Sequence, residues 1–297
     1  MCGILGTWGR YDTALINKAA ASISHRGPDA HGVYTDGDIT LIHHRLSILD
    51  LSEKGNQPYR FMHLTLTYNG EIYNFKDIRQ ELVAEGYHFD SSSDTEVLIK
   101  AFHKWGVDAV QKFTGMFAFA IYDKSDHSIY VFRDRMGVKP LYYTTDNGFA
   151  FASELKAIMP LLTSKDIDVA AVTEYFRFGY ISREKTIFKH AKKLLPGHYL
   201  HYRNGKAVIK CYWDVNEHFI KPAPAYTAAE WQDRLHKQLI EACTIRMVSD
   251  VPVGIFLSGG IDSSLVTAIL RKHYGNIETF TIGFRNEQFN EAPYAEK

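Results

Sequence analysis

Four short apolar runs crowd the middle of the chain, at 117–122, 129–132, 141–144 and 149–152, and their spacing restricts the fold more than any other feature. Turn-forming residues fill the intervals 123–126, 134–137 and 146–148. Runs this short, closed by such turns, read as strands that pair antiparallel with their neighbours. Stretch 63–68 adds an alternating strand, with Leu64 and Leu66 on one face and Thr65 and Thr67 on the other. Two helices separate the early strands from the late ones. Phe75, Ile78, Leu82 and Val83 share a helical face, and Gly86 is placed to end that helix. Ser93 followed by Glu96 reads as a capping box opening a second helix that reaches about Trp105. Sheets with segregated helices predict a layered α+β first domain.

The texture changes near residue 214. Residues 214–226 include Lys-Pro-Ala-Pro and little periodicity, and read as a linker between a domain at 1–213 and a second region at 227–297. Thr227 and Glu230 form a further capping box. Trp231, Leu235, Leu239, Ala242 and Met247 continue one helical face. A short apolar strand at 253–257, a glycine loop, a helix at 262–273 and a strand at 279–284 follow, which is the unit of a parallel sheet. One such unit cannot close a core of its own, so the second region is expected to be incomplete.

Composition narrows the function classes. The 297 residues correspond to two domains at ~150 residues each. Lys+Arg and Asp+Glu number 34 each, so no basic stripe for nucleic acid and no polybasic membrane anchor is expected. Cys2, Cys211 and Cys243 make no disulfide framework and point to a reducing compartment. The apolar run at 115–122 falls far short of the ~20 residues of a membrane helix. The N-terminus shows no charged segment leading into an apolar core. The expectation is a cytoplasmic protein.

Several residues could carry chemistry. Removal of the initiator Met would give Cys2 both a thiol and a free α-amine, whose ordinary pKa near ~8 leaves a neutral fraction to act as base. Asn69-Gly70 reads first as a hairpin turn and second as an oxyanion hole built from a side-chain amide and an adjacent backbone N–H. Arg45 could clamp a carboxylate or serve as an ion-paired strand residue. Asp94 stands where a carboxylate favours the helix dipole, and Glu71 could be an edge-strand charge. The histidines show no ligand spacing with Cys or Glu. The strongest signal is Ser258-Gly259-Gly260-Ile261-Asp262-Ser263-Ser264, between an apolar strand and a helix. That context offers amides and hydroxyls to an anion, and the absence of a Lys separates it from the common P-loop. Asp262 could hold Mg²⁺ against phosphates.

Together these pieces resemble the glutamine-dependent asparagine synthetases. The stretches that carry the resemblance are Met1-Cys2-Gly3-Ile4, His25-Arg26-Gly27-Pro28-Asp29, Arg45-Leu46-Ser47-Ile48, Tyr68-Asn69-Gly70-Glu71-Ile72-Tyr73-Asn74, Ser93-Asp94-Thr95-Glu96, Gly115-Met116-Phe117-Ala118-Phe119, Asp134-Arg135-Met136-Gly137-Val138-Lys139-Pro140-Leu141 and Ser258 to Ser264. The resemblance implies an αββα N-terminal-nucleophile sandwich followed by the beginning of an α/β parallel-sheet ATP-binding domain. It implies that Cys2 attacks the glutamine side-chain carbonyl and that Asn69 and Gly70 hold the oxyanion. Arg45 would bind the α-carboxylate, Glu71 and Asp94 the α-amino group, with Leu46 and Ile48 at the same site. Ser258, Gly259, Gly260, Asp262, Ser263 and Ser264 would cradle the ATP phosphates, with Leu257 and Ile282 flanking the nucleotide and Asp262 helping to hold Mg. ATP would activate aspartate, and ammonia would displace AMP to give asparagine. No prosthetic group is implied, and a homodimer is compatible.

Two departures qualify the expectation. The family's synthetase domain continues well past the position of Lys297, so the chain is expected to be an N-terminal portion that at most hydrolyses glutamine. Retention of Met1 would deprive Cys2 of its α-amine. Other readings keep both half-sites but change the acceptor to one such as a sugar acid, or make the first domain a non-catalytic glutaminase-like module, or describe an ATP-pyrophosphatase independent of glutamine. The joint presence of Cys2, Arg45, Asn69 and Asp94 speaks against the module.

Overall fold

The apolar runs become strands because both of their faces have a layer to bury against. In Gly115–Asp123, Ala118, Ala120 and Tyr122 belong to one core cluster, while Phe117 and Phe119 meet Phe113 on the other side. A strand buried on both faces reads as a continuous apolar run rather than an alternating one. The computed structural model describes residues 1–219 and 224–296, without the side chain of His218. Two compact units are present, Met1–Ile220 and Lys221–Lys297.

In the first unit the strands are β1 (Gly3–Trp8), β2 (Ala30–Asp36), β3 (Ile39–Arg45), β4 (Tyr59–Phe61), β5 (Leu64–Ile72), β6 (Gly115–Asp123) and β7 (Ser128–Arg133). They continue with β8 (Tyr142–Thr144), β9 (Phe149–Ala152), β10 (Lys192–Lys193), β11 (His198–Arg203) and β12 (Lys206–Cys211). Two sheets result, ordered β10-β8-β9-β1-β3-β2 and β12-β11-β7-β6-β5-β4, and every pairing in them is antiparallel. Their facing surfaces share a core of Ile4, Leu41, Ala118, Ala120, Tyr122, Val131, Phe149 and Leu200, among others. The helices are α1 (Thr13–Ser22), α2 (Phe75–Ala84), α3 (Asp94–Trp105), α4 (Ala109–Lys112), α5 (Leu155–Ile158), α6 (Val169–Phe178) and α7 (Asn216–Phe219). Ala19 and Ala20 of α1 and Ala157 and Ile158 of α5 pack on Leu5, Ile42 and Ala152 of the first sheet. Phe102 of α3 meets Phe132 of β7, ring centroids 6.2 Å apart, on the outer face of the second sheet. The layering is αββα.

Several expectations need correction. Asn69 and Gly70 are not a turn. They lie inside β5, opposite Ala118 and Phe117 of β6. Ladder pairing overrode the local turn preference, and a Cβ at Gly70 would stand 2.3 Å from the Met116 carbonyl oxygen. Ser93 does cap α3, accepting from the Thr95 amide at 3.1 Å, but Glu96 does not complete a box. Its carboxylate instead accepts from the Asp90 and Ser91 amides and from Lys100. Phe75, Ile78 and Leu82 are buried on α2, whereas Val83 is exposed at the border of that stripe. Gly86, at φ +89°, follows the helix end as expected. Runs 129–132 and 141–144 fall in different sheets, so β7 and β8 are not partners.

The second unit contains α8 (Ala228–Thr244), β13 (Gly254–Phe256), α9 (Ile261–Tyr274), β14 (Glu278–Phe280) and α10 (Ala292–Ala295). Thr227 and Glu230 form the expected capping box. β13 and β14 pair in parallel across α9, as the pattern predicts. Residues 281–284 do not extend β14. Cys243, Ile269 and Leu270 form the buried cluster, with Leu239 and Met247 against it, while Trp231 and Leu235 of the expected apolar face are exposed. Of the expected linker, residues 220–223 lie outside the described residues. Among the described residues no helix is long and apolar enough to cross a membrane.

Candidate active site

Cys2 stands immediately before β1, and its position is held from two sides. Its carbonyl accepts from Arg26 Nε at 2.9 Å. Arg26 is buried, and its Nη1 meets the Glu154 carboxylate at 2.9 Å. Burial raises the Glu154 carboxyl, but Arg26 and Lys156 outweigh it and hold the group down at about 2. The Cys2 sulfur lies against the backbone of Leu46, accepting from its amide at 3.4 Å and donating to its carbonyl at 3.6 Å. Burial pushes the thiol above its usual range, with the Leu46 amide, the Met1 α-amine and Arg45 opposing the rise.

Arg45 ends β3 and is buried. Its Nη1 donates to the Ser52 carbonyl at 2.7 Å and to Asn56 Oδ1 at 2.8 Å. Its Nη2 donates to the carbonyls of Leu49, at 3.3 Å, and Asp50. All four terminal protons thus hold the loop that follows β3, and a carboxylate must displace carbonyls to gain a bidentate hold. Gly55 gives way to this guanidinium, since a Cβ there would lie 2.3 Å from Nη2.

Strand alternation sends Asn69 and Glu71 to one face of β5. Asn69 is almost fully buried, and its Nδ2 has no hydrogen-bond partner among the described residues. A buried amide donor without an acceptor costs about 1–3 kcal/mol, so its retention needs a reason. Glu71 is also buried, with Oε1 unpartnered. Asp94, the first residue of α3, accepts from the Tyr68 hydroxyl at 2.8 Å and the Ile72 amide at 3.0 Å through one oxygen. Burial pushes the Asp94 carboxyl up. Burial, then the neighbouring Asp94, push Glu71 up to about 7, with Lys139 opposing. Two buried carboxylates with an unsatisfied oxygen form a site that gains from an added cation.

All eight residues expected at the glutamine site, Cys2, Arg45, Leu46, Ile48, Asn69, Gly70, Glu71 and Asp94, line one cavity. Met1, Gln57, Tyr68, Met116 and Lys139 line it too and escaped the sequence reading. Tyr68 and Lys139 fall in stretches that carry the resemblance, but nothing in their spacing assigns them a role.

In the second unit, the residues expected at the nucleotide gather at the carboxyl ends of β13 and β14. The Leu257 amide donates to the Phe280 carbonyl at 2.9 Å, and Ile282 is exposed just beyond β14. Gly259 adopts φ +76°, and a Cβ there would lie 2.6 Å from Tyr294 Cβ. The Ser258 and Ser263 hydroxyls meet at 3.0 Å. Gly260 caps α9 with no side-chain bond, so the first amides of the helix remain available to an anion. Asp262 lies in that first turn, with Ser264 beside it; both are exposed. Among the described residues no cluster of three candidate metal ligands occurs. One carboxylate with phosphate oxygens and water suits Mg²⁺, so the loop fits Mg-ATP as a substrate.

Residues 1–213 match the family model of the glutamine amidotransferase domain. The chain belongs to this family. Residues 234–297 match the model described as asparagine synthase. The chain is 38% identical to asparagine synthetase [glutamine-hydrolyzing] 1 of Bacillus subtilis, over 100% of its own length and 48% of that relative. It is also 38% identical to a putative asparagine synthetase [glutamine-hydrolyzing] 2 of Methanocaldococcus jannaschii, over 99% of its length and 62% of the relative. The chain therefore spans about half the length of the first of these relatives and about three fifths of the second. Among solved structures, the glutamine phosphoribosylpyrophosphate amidotransferase of Bacillus subtilis, complexed with ADP and GMP, aligns with TM-score 0.54 at 21% identity, covering 97% of this chain and 68% of that one. That likeness places the first unit of this chain in the N-terminal-nucleophile fold.

Proposed function

We propose that residues 1–213 hydrolyse glutamine, that 214–226 link them onward, and that 227–297 belong to an ATP-binding synthetase domain that makes asparagine. The observation that carries the first half is the unpartnered Asn69 amide, buried in the cavity that Cys2 lines. Such a donor suits charge that develops only during reaction. With Met1 removed, the α-amine of Cys2 takes the thiol proton and the sulfur attacks the amide carbon of glutamine. Asn69 Nδ2 and the Gly70 backbone stabilise the oxyanion. The amide nitrogen, protonated, leaves as ammonia, and water releases glutamate from the thioester. Glu71 and Asp94 take the substrate α-ammonium. Arg45 takes the α-carboxylate, exchanging loop carbonyls for it, and Leu46 and Ile48 wall the same cavity.

In the second half, the amides ahead of α9 and the hydroxyls of Ser258, Ser263 and Ser264 hold the ATP phosphates, with Gly259 and Gly260 allowing close approach. Leu257 and Ile282 flank the nucleotide, and Asp262 helps hold Mg. Aspartate attacks the α-phosphorus and pyrophosphate leaves; ammonia then displaces AMP to give asparagine. The family match supports a glutamine-dependent carbon–nitrogen ligase, and it favours aspartate over a sugar acid as the acceptor.

The test is ammonia release from glutamine by the chain and by Cys2→Ala. Cys2-dependent release is expected. Equal rates in both would overturn the reading in favour of a non-catalytic module.

A further inference from the structure

Tyr68 lines the cavity of Cys2, yet the hydrolysis above gives it nothing to do. It stands opposite Phe119 of β6. Phe119 stacks on Phe132, and Phe132 meets Phe102 of α3, so Tyr68 shares the face of the second sheet that α3 covers. Its ring lies along β5 beside Gly70, where a Cβ would stand 2.6 Å from Tyr68 Cε2. Any side chain at position 70 would push the ring aside. The backbone of Tyr68 is fixed as well. β4 pairs with β5 only as far as Tyr59 opposite Leu66, and beyond that Gln57 Oε1 accepts from the Tyr68 amide at 2.6 Å. Gln57 Nε2 donates to Thr95 Oγ1 of α3 at 3.3 Å, and His43 Nε2 donates to the Tyr68 carbonyl at 3.1 Å. Gln57 thus ties the strand that carries Tyr68 to the first turn of the helix that carries Asp94.

The phenol that this frame aims has one target. The Tyr68 hydroxyl donates to Asp94 Oδ2 at 2.8 Å, and the Ile72 amide donates to the same oxygen at 3.0 Å. Oδ1 is held more loosely, since the Ser93 hydroxyl reaches it only at 3.5 Å and also accepts from the Thr95 amide. The two oxygens of one buried carboxylate therefore differ: one is saturated by the fold and the other is left for a ligand. Burial, then Asp94, push the phenol well above its usual range, so it stays a donor. A donor bonded to a carboxylate oxygen favours the ionised form and fixes the plane of the group. Without the hydroxyl, Oδ2 keeps the Ile72 amide alone, and the carboxylate can turn about its broad terminal torsion.

We infer that Tyr68 is a positioning residue for the substrate ammonium: its phenol fastens Oδ2 of Asp94 so that Oδ1 is presented to the α-ammonium of glutamine. This rests on the glutamine reading above. The Cys2 sulfur has its own contacts, to the amide and carbonyl of Leu46. Tyr68 therefore acts on substrate binding through Asp94 and not on attack.

The experiment measures kcat and KM for glutamine hydrolysis by the full chain for the unmodified protein, Tyr68→Phe, Asp94→Asn and the Tyr68→Phe/Asp94→Asn double variant. Phe keeps the ring and removes only the hydroxyl. Loss of a hydrogen bond to a charged group is expected to raise KM about 10- to 100-fold, with kcat moving less than ~3-fold. In the Asp94→Asn background the same substitution should change KM less than ~2-fold, because the phenol acts only through that carboxylate. For a variant too slow for the ammonia assay, glutamine protection of Cys2 against iodoacetamide, read by peptide mass spectrometry, gives the same comparison as Kd. An unchanged KM, a loss carried by kcat at constant KM, or an equal rise in KM in the Asp94→Asn background would each overturn the assignment. Should Tyr68→Phe fail to fold, Tyr68→Met, which also lacks the hydroxyl, replaces it under the same criteria. Absence of Cys2-dependent hydrolysis in the unmodified chain would overturn the glutamine reading and this one together, whereas hydrolysis with unchanged KM in Tyr68→Phe overturns only the role of Tyr68.

Discussion

Replacing Asn69 with Ala separates a catalytic amide from a structural one. In the free protein the Nδ2 group is buried and unpartnered, so it contributes a desolvation cost of about 1–3 kcal/mol rather than a bond. Asn69→Ala removes that cost and leaves a small void, which costs roughly as much in the opposite direction. The net change in stability is expected within about 1 kcal/mol. In the transition state the same group meets a developing oxyanion, and loss of one such donor costs about 3–4 kcal/mol, or ~10²–10³ in kcat. The assay pairs ammonia release under saturating glutamine with urea denaturation of the same preparation. A stable variant with a hundredfold lower kcat fits the account. A variant destabilised by ~3 kcal/mol with kcat unchanged would show that Asn69 serves the fold and would refute the argument.

Other substitutions report on the surroundings. Burial, then the neighbouring Asp94, push Glu71 up to about 7 from its ordinary 4.5, so the folded state binds more protons between those values. Stability of the ligand-free chain should fall as pH rises from about 4.5 to 7, and thermal melts of Glu71→Gln should lack that slope. Glu96 and Lys100 form a buried pair at 2.6 Å, and Glu96→Gln strands the ammonium, so urea denaturation should show a loss of about 3 kcal/mol. Burial alone would raise the Glu96 carboxyl, but Lys100 and the Ser91 groups hold it below its ordinary value. The stability it contributes is therefore present above about pH 4.5 and lost as pH falls through the lowered value. At Gly70, a methyl group would meet the Met116 carbonyl at 2.3 Å, and Gly70→Ala should lower both the melting temperature and kcat by displacing Asn69.

What the sequence made legible followed from local periodicity. The run at 149–152 is strand β9 without adjustment, the helix opened by Ser93 ends at Trp105 as expected, and Thr227 with Glu230 forms its box. Local rules failed where tertiary pairing overruled them. Asn69-Gly70 carries a strong turn signal, yet β6 draws it into a strand, and that placement buries the amide. Glu96 stands at the box position of α3 but turns to the loop before Ser93 and to Lys100. The occupation of Arg45 by the carbonyls of Leu49, Asp50 and Ser52 has no sequence signature, because it depends on how the loop after β3 folds back. Lys139 and Tyr68 escaped for a related reason: one is aimed by the Asp134 turn, the other by a bond to Asp94 on a distant helix. The joint resemblance, rather than any single residue, brought Cys2, Arg45, Asn69 and Asp94 into one expectation, and one cavity holds them all.

Covalent labelling tests the central claim most directly. The chain carries Cys2 beside the cavity, Cys211 exposed and Cys243 buried, none of them in a disulfide. Exposure alone would direct a generic thiol reagent to Cys211. An electrophilic analogue of glutamine, followed by peptide mass spectrometry, should instead modify Cys2, on a chain lacking Met1, with glutamine protecting it. Modification of Cys211 ahead of Cys2, or labelling of Cys2 that glutamine does not slow, would contradict the account.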